Sequence, residues 1–164
     1  MKQRHTLPLG EQVRAEIYRA KPWGYSDKPD ELPDIVDLIT NAGRVFLAKR
    51  ISGGDTVASA MAYMAVGTDA TAAVIADTTL PGEISRLSSA VYSATANNIY
   101  TNVATWGGAS NTVQSISIVE AGVFNHASSG QGTLYQRVTF AGVVLADSDL
   151  LKITLQTVVG SNTI

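Results

Sequence analysis

Apolar positions along this chain follow two periods, and the change falls near Gly53-Gly54. Before it, Ile35, Leu38, Ile39, Ala42 and Phe46 recur at helical spacing, flanked by Val45 and Ala48. That spacing predicts one amphipathic helix over residues 34–51. Asp34 is placed to cap its start, and Asp37 lies in the first turn, where negative charge is favoured. Lys49 and Arg50 fall in the last turn, and Gly53-Gly54 stops the helix. Gly43 is its weak point. The apolar face is expected to pack across one edge of the sheet that follows.

After residue 57 the period drops to two. Residues 58–66 alternate Ala60, Ala62, Met64 and Val66 against Met61, Tyr63 and Ala65, as in a strand buried on both faces. Residues 68–81 are too rich in Ala, Thr and Asp for a strand and read as a long ordered loop. Further strands are expected at 85–95, 98–106, 112–119, 134–140 and 150–159. In the last, Leu151, Ile153 and Leu155 oppose Lys152, Thr154 and Gln156. Turn signals stand at Asn97-Asn98, at residues 107–111 and at 128–132. Short strands with turns every 8–12 residues or so indicate an antiparallel sandwich or barrel.

Residues 1–33 read differently. They hold four of the five prolines, around a stretch (residues 11–20) with Val13, Ile17 and Ala20 on one side of a short helix. Proline at this density suits an extended arm lying in a groove. Trp23 and Tyr25 are large anchors in polar surroundings, and aromatics and Arg are enriched at interface hot spots. Residues 1–33 are therefore expected to form an arm that orders on contact, with Arg14, Arg19, Trp23 and Tyr25 as partner-binding residues. Residues 34–164 form the helix-plus-sandwich domain.

Composition sharpens this picture. The 164-residue chain is 45% hydrophobic and 16% charged, with mean hydropathy +0.10. Soluble domains carry about 25% charged residues, so a chain this apolar is expected to cover surface against partners. Nine of the twelve Lys and Arg lie in the first 50 residues, with seven of the fourteen acids. With a net charge of −2, nucleic acid is not an expected partner. No run approaches the roughly 20 apolar residues of a membrane helix, and no membrane partner is expected.

Candidate chemistry is sparse. There is no Cys, and the two histidines, His5 and His126, lie far apart, so a zinc site lacks ligands. A Ser-His-Asp triad would need His126 and partners brought in by the fold. Asp147-Ser148-Asp149 starts like a calcium loop, but Leu150-Leu151 follow where ligands should be, and it reads as a turn entering a strand. No cofactor, metal or catalytic residue is expected. Glu120, beside Ala121-Gly122, needs a partner if buried, with Arg86 or Arg137 the candidates for a structural ion pair. Glu83 and Arg86, three apart, can pair across a short helical turn.

Three pieces taken in order carry a resemblance: residues 38–48 (LITNAGRVFLA), residues 65–86 (AVGTDATAAVIADTTLPGEISR), and residues 118–125 (IVEAGVFN) with their continuation to Phe140. The pattern resembles small bacteriophage virion structural proteins, found as capsid decoration (cement) proteins and as tail-fibre or baseplate modules. The resemblance implies a β-sandwich of jelly-roll type that oligomerises about a symmetry axis, and it carries over no catalytic residue. The function it implies is that of a cement protein. Such a protein binds the major capsid protein and itself, as a trimer or dimer, on the outer surface of a virion assembled in the host cytoplasm. A tail-fibre, collar or baseplate module is the alternative. A carbohydrate-binding sandwich would want exposed aromatics on a concave face, for which Tyr100 and Trp106 are the candidates.

Overall fold

Alternation, rather than helical spacing, governs the segment around Val13 and Ile17. The computed structural model describes residues 10–32, 36–54, 59–94, 99–108 and 113–158. Its first element is strand β1 (Gly10–Tyr18), paired antiparallel along its whole length with the last strand, β12 (Leu150–Val158). Positions four apart share a face in a helix and also in a strand, so Val13 and Ile17 fit both periods. Ala15, buried between them, and the facing row of Leu151, Ile153 and Leu155 select the strand. This overturns the extended arm for residues 10–32: residues 10–18 and 30–31 are strands of the sandwich, and a hairpin at 20–25 connects them; residues 1–9 and 33 lie outside the described residues.

The chain continues through β2 (Ala20–Lys21), β3 (Gly24–Tyr25), β4 (Asp30–Glu31), β5 (Val36–Ile39), helix α1 (Asn41–Ile51) and β6 (Tyr63–Gly67). It ends with β7 (Glu83–Ser88), β8 (Ala90–Ala94), β9 (Ile99–Gly107), β10 (Ser117–Phe124), β11 (Leu134–Val144) and β12. Two five-stranded sheets result, in orders β4-β1-β12-β9-β8 and β5-β11-β10-β6-β7, with every neighbouring pair antiparallel. Both fill one core: Ile17, Trp106, Leu151 and Ile153 from the first sheet meet Met64, Val66, Val123, Val138 and Phe140 from the second. Each such side chain contributes about 1.5–3 kcal/mol on burial. The protein is a mainly-β antiparallel sandwich, the fold class expected from the sequence.

Where the chain changes sheet, local signals mislead. Residues 85–95 read as one strand, but β7 belongs to the second sheet and β8 to the first. Ser89 makes the corner. It is buried, its N–H donates to the Ala62 carbonyl (2.8 Å), and its hydroxyl donates to Asn102 Oδ1 (2.9 Å). Sandwiches turn corners with strands of this kind.

The expected helix is likewise divided. Residues 36–39 are β5, an edge strand against β11, and Thr40 rather than Asp34 caps α1. The Thr40 hydroxyl accepts the Gly43 N–H (2.9 Å) and donates to the Leu134 carbonyl (2.6 Å). Asp34 lies outside the described residues. Nor is α1 amphipathic or the first element of the fold. It follows five strands, its buried residue is Gly43, and Val45 and Ile51 are exposed. A Cβ on Gly43 would collide with the Tyr135 carbonyl, so glycine is what lets the helix backbone lie on β11. The C-terminus is as expected, with Lys49 and Arg50 in the last turn and the Gly54 N–H on the Lys49 carbonyl (2.9 Å).

Candidate functional site

Residues 68–82, between β6 and β7, fold back over the outer face of the second sheet, and three glycines make the approach possible. A Cβ on Gly67 would strike the Glu120 carboxylate and come within 2.7 Å of the Gly82 carbonyl oxygen. One on Gly82 would lie 2.6 Å from the Asp69 nitrogen, and one on Gly122 would lie 2.9 Å from Leu134. Leu80 fills the space so created, packing with Ala65, Phe124 and Leu134 in a small second core outside the sheet.

Beneath this loop lies an ion-pair network. Glu120 is fully buried. Its Oε1 accepts the N–H groups of Gly82 (2.9 Å) and Asp69 (3.3 Å), while Oε2 takes Arg137 Nε (3.0 Å) and Nη2 (2.9 Å). Arg137 goes on to Asp77 Oδ2 (2.8 Å) and the Thr71 carbonyl (3.0 Å). Asp77 in turn accepts the Val74 N–H (2.9 Å). Burial opposes the Arg137 charge, but the bonds to Asp77 and Glu120 outweigh it and raise its pKa. One guanidinium thus staples the loop to the sheet. Of the two candidates for Glu120, the structure pairs it with Arg137.

Arg86 is engaged elsewhere. It makes two bonds to Glu83 (2.8 and 2.7 Å), donates to the carbonyls of His126 and Gln131 (2.9 Å each), and lies 3.6 Å over the Phe124 ring. The Glu83–Arg86 pair sits in β7, where the register with β6 shifts, rather than on a helical turn. Stacking and fork geometry both suit Arg over Lys here.

At one end of the first sheet the arrangement is reversed. The hairpin β2–β3 pairs Ala20 with Tyr25 and Lys21 with Gly24, leaving Pro22-Trp23 at its tip. Trp23 is 98% exposed. Its base is held firmly. The buried carboxylate of Asp149 accepts the Ala20 N–H (2.8 Å), Arg19 Nη1 (2.7 Å) and the Ala146 N–H (3.2 Å). Arg19 also reaches Asp30 (3.3 Å), and its N–H and carbonyl both bond to Ser26 (3.2 and 3.0 Å). Burial pushes the Asp149 pKa up, yet the Ala20 N–H and Arg19 outweigh it and the pKa is lowered.

Of the four expected partner-binding residues, two are occupied within the chain: Arg19 as above, and Arg14 on Glu31 (2.5 Å) and Glu16 (3.2 Å). Trp23 and Tyr25 remain exposed. Sequence reasoning missed Asp149 as the hairpin's anchor. Its signal was the Asp147-Ser148-Asp149 turn, in which Ser148 adopts φ 69°. It also missed an apolar pocket of about 290 Å³ lined by Phe46, Leu47 and Arg50 of α1, Ala60, Met61, Tyr100 and Tyr135. In its wall the Tyr100 hydroxyl donates to the Met61 carbonyl, and burial pushes its pKa up to about 12. Trp106 is buried in the core, so it cannot serve a glycan face.

Among the described residues no cluster of three His, Asp or Glu converges as a metal site. No described helix is long and apolar enough to cross a membrane. No protein family, curated protein or solved structure matches this chain.

Proposed function

We propose that this chain is a structural subunit of a bacteriophage particle, a cement protein that binds the outside of the major capsid shell and bridges neighbouring subunits. Trp23 carries this reading. An indole left in water forgoes about 2 kcal/mol of burial, and here it stands on a hairpin whose base is fixed by a buried carboxylate. Fixing an aromatic before contact lowers the ordering cost of association. The low charge content and the tightly stapled outer loop fit a particle component that must hold its shape.

The test is direct. Purified shells lacking the protein are expected to take it up at fixed stoichiometry and to gain thermal stability, and Trp23→Ala to reduce uptake sharply. Absence of binding to shells would remove the cement reading. Binding to isolated tails or baseplates instead would select the tail-fibre, collar or baseplate alternative.

A further inference from the structure

We propose that Trp23 of one copy inserts into the pocket between α1 and the sandwich of a second copy, joining copies head to tail. This deepens the assembly reading and rests on Trp23 being a contact residue.

Three observations carry it. First, knob and hole match in kind. Trp23 is the most exposed large apolar side chain among the described residues, and the pocket is lined chiefly by Phe46, Leu47, Met61, Tyr100 and Tyr135. Its volume of about 290 Å³ exceeds that of an indole side chain, and Arg50, stacked on Phe46 at 5.5 Å, forms part of its lining.

Second, they lie at opposite ends. Tyr25, beside the knob, approaches Gly108 just past the end of β9, whereas Tyr100 lies near its start. Seven residues of strand separate Tyr100 from Gly107, about 23 Å. A patch at one end that fits a different patch at the other makes a heterologous contact, which closes into a ring or runs on as a filament.

Third, the charges are complementary. Helix α1 carries Arg44, Lys49 and Arg50 with no acid. The hairpin end carries Asp27, Asp30, Glu31, Asp147 and Asp149 against Arg19, Lys21, Lys28 and Arg14, the partner of Glu31, an excess of one negative charge. Complementary ends steer encounter and fix which end meets which.

The experiment uses the full chain alone, in sedimentation velocity over a concentration series. Wild type is expected to form species larger than dimers. Trp23→Ala, changed at a side chain that touches almost nothing in its own fold, is expected to weaken association at least about thirtyfold. Ala60→Arg, at an exposed position lining the pocket, is expected to do the same. Circular dichroism of both variants should match wild type. Mixing them is decisive. One variant has an intact pocket and the other an intact tryptophan, so a single contact is possible and a one-to-one pair is expected that grows no further.

Wild type that stays monomeric or stops at dimers, variants that associate like wild type, or a mixture that forms no pair would each overturn the head-to-tail contact. So would Ala60→Arg abolishing shell binding while self-association persists, since the pocket would then belong to a shell partner. Shell binding without self-association sinks this inference alone. Self-association without shell binding sinks the cement reading alone.

Discussion

The loop over the second sheet and the hairpin at the end of the first invert each other. In the loop, charges that ordinarily face water are buried: Glu120 and Arg137 lie under residues 68–82 with Asp77 completing the group. In the hairpin, an indole that ordinarily lies in a core stands in water. Both depart from the usual partition of side chains, for opposite ends. A buried guanidinium with every partner in place gives a long small-residue loop one conformation, because each alternative strands a charge. An exposed indole adds nothing to the fold and is available to another molecule. Asp149 joins the two styles, since its own buried pairing holds the exposed residue in position.

Breaking the loop side should cost most. Arg137→Met removes the cation bound to Glu120 and Asp77, and should lower the unfolding free energy by about 3–5 kcal/mol, read by urea denaturation. Adding Glu120→Gln should recover part of that loss, because the uncompensated buried charge goes with it. Next comes Gly67→Ala, which forces a methyl against the Glu120 carboxylate and the Gly82 carbonyl. A loss of about 1–3 kcal/mol is expected, visible as a lower melting temperature.

Smaller effects belong to the hairpin. The Asp149 pKa is held below its ordinary 3.8, so as pH falls the unfolded chain takes up this proton before the folded one. Its contribution is complete above the ordinary Asp range and is lost as pH drops through the depressed folded-state value. Asp149→Asn should flatten the acid limb of a stability-versus-pH curve, and hydrogen exchange at Ala20 should quicken. Smallest of all, Trp23→Ala should leave stability within about 0.5 kcal/mol of wild type. A larger loss would place the indole inside the fold and erase the contrast.

The sequence showed the two regions unequally. The strand at 150–159 and its two faces were legible because strict alternation there has one reading. The stop at Gly53-Gly54 was legible because glycine readily takes the left-handed conformation that ends a helix, as Gly53 does at φ 71°. Residues 13–17 were ambiguous because a spacing of four suits both periods, and the deciding partner, β12, lies some 140 positions away. Residues 36–51 misled because strand and helix abut at Thr40, so that Leu38 and Ile39 continue a helical stripe they do not belong to. Glu120 announced its need for a partner, yet Asp77 and Thr71 could be found for Arg137 only once the loop had folded over it. Trp23 was recognisable as an anchor by type; that it caps a fixed hairpin rather than a pliable arm depends on Asp149, a contact across 130 residues.

The most direct measurement is tryptophan emission across a concentration series with acrylamide quenching, since Trp106 is buried and Trp23 is not. Dilute protein should show a red-shifted, readily quenched component that shifts blue and loses quenching as copies associate, and Trp23→Ala should show no such component. An indole at position 23 that stays open to acrylamide in fully associated protein would contradict its role as the contact.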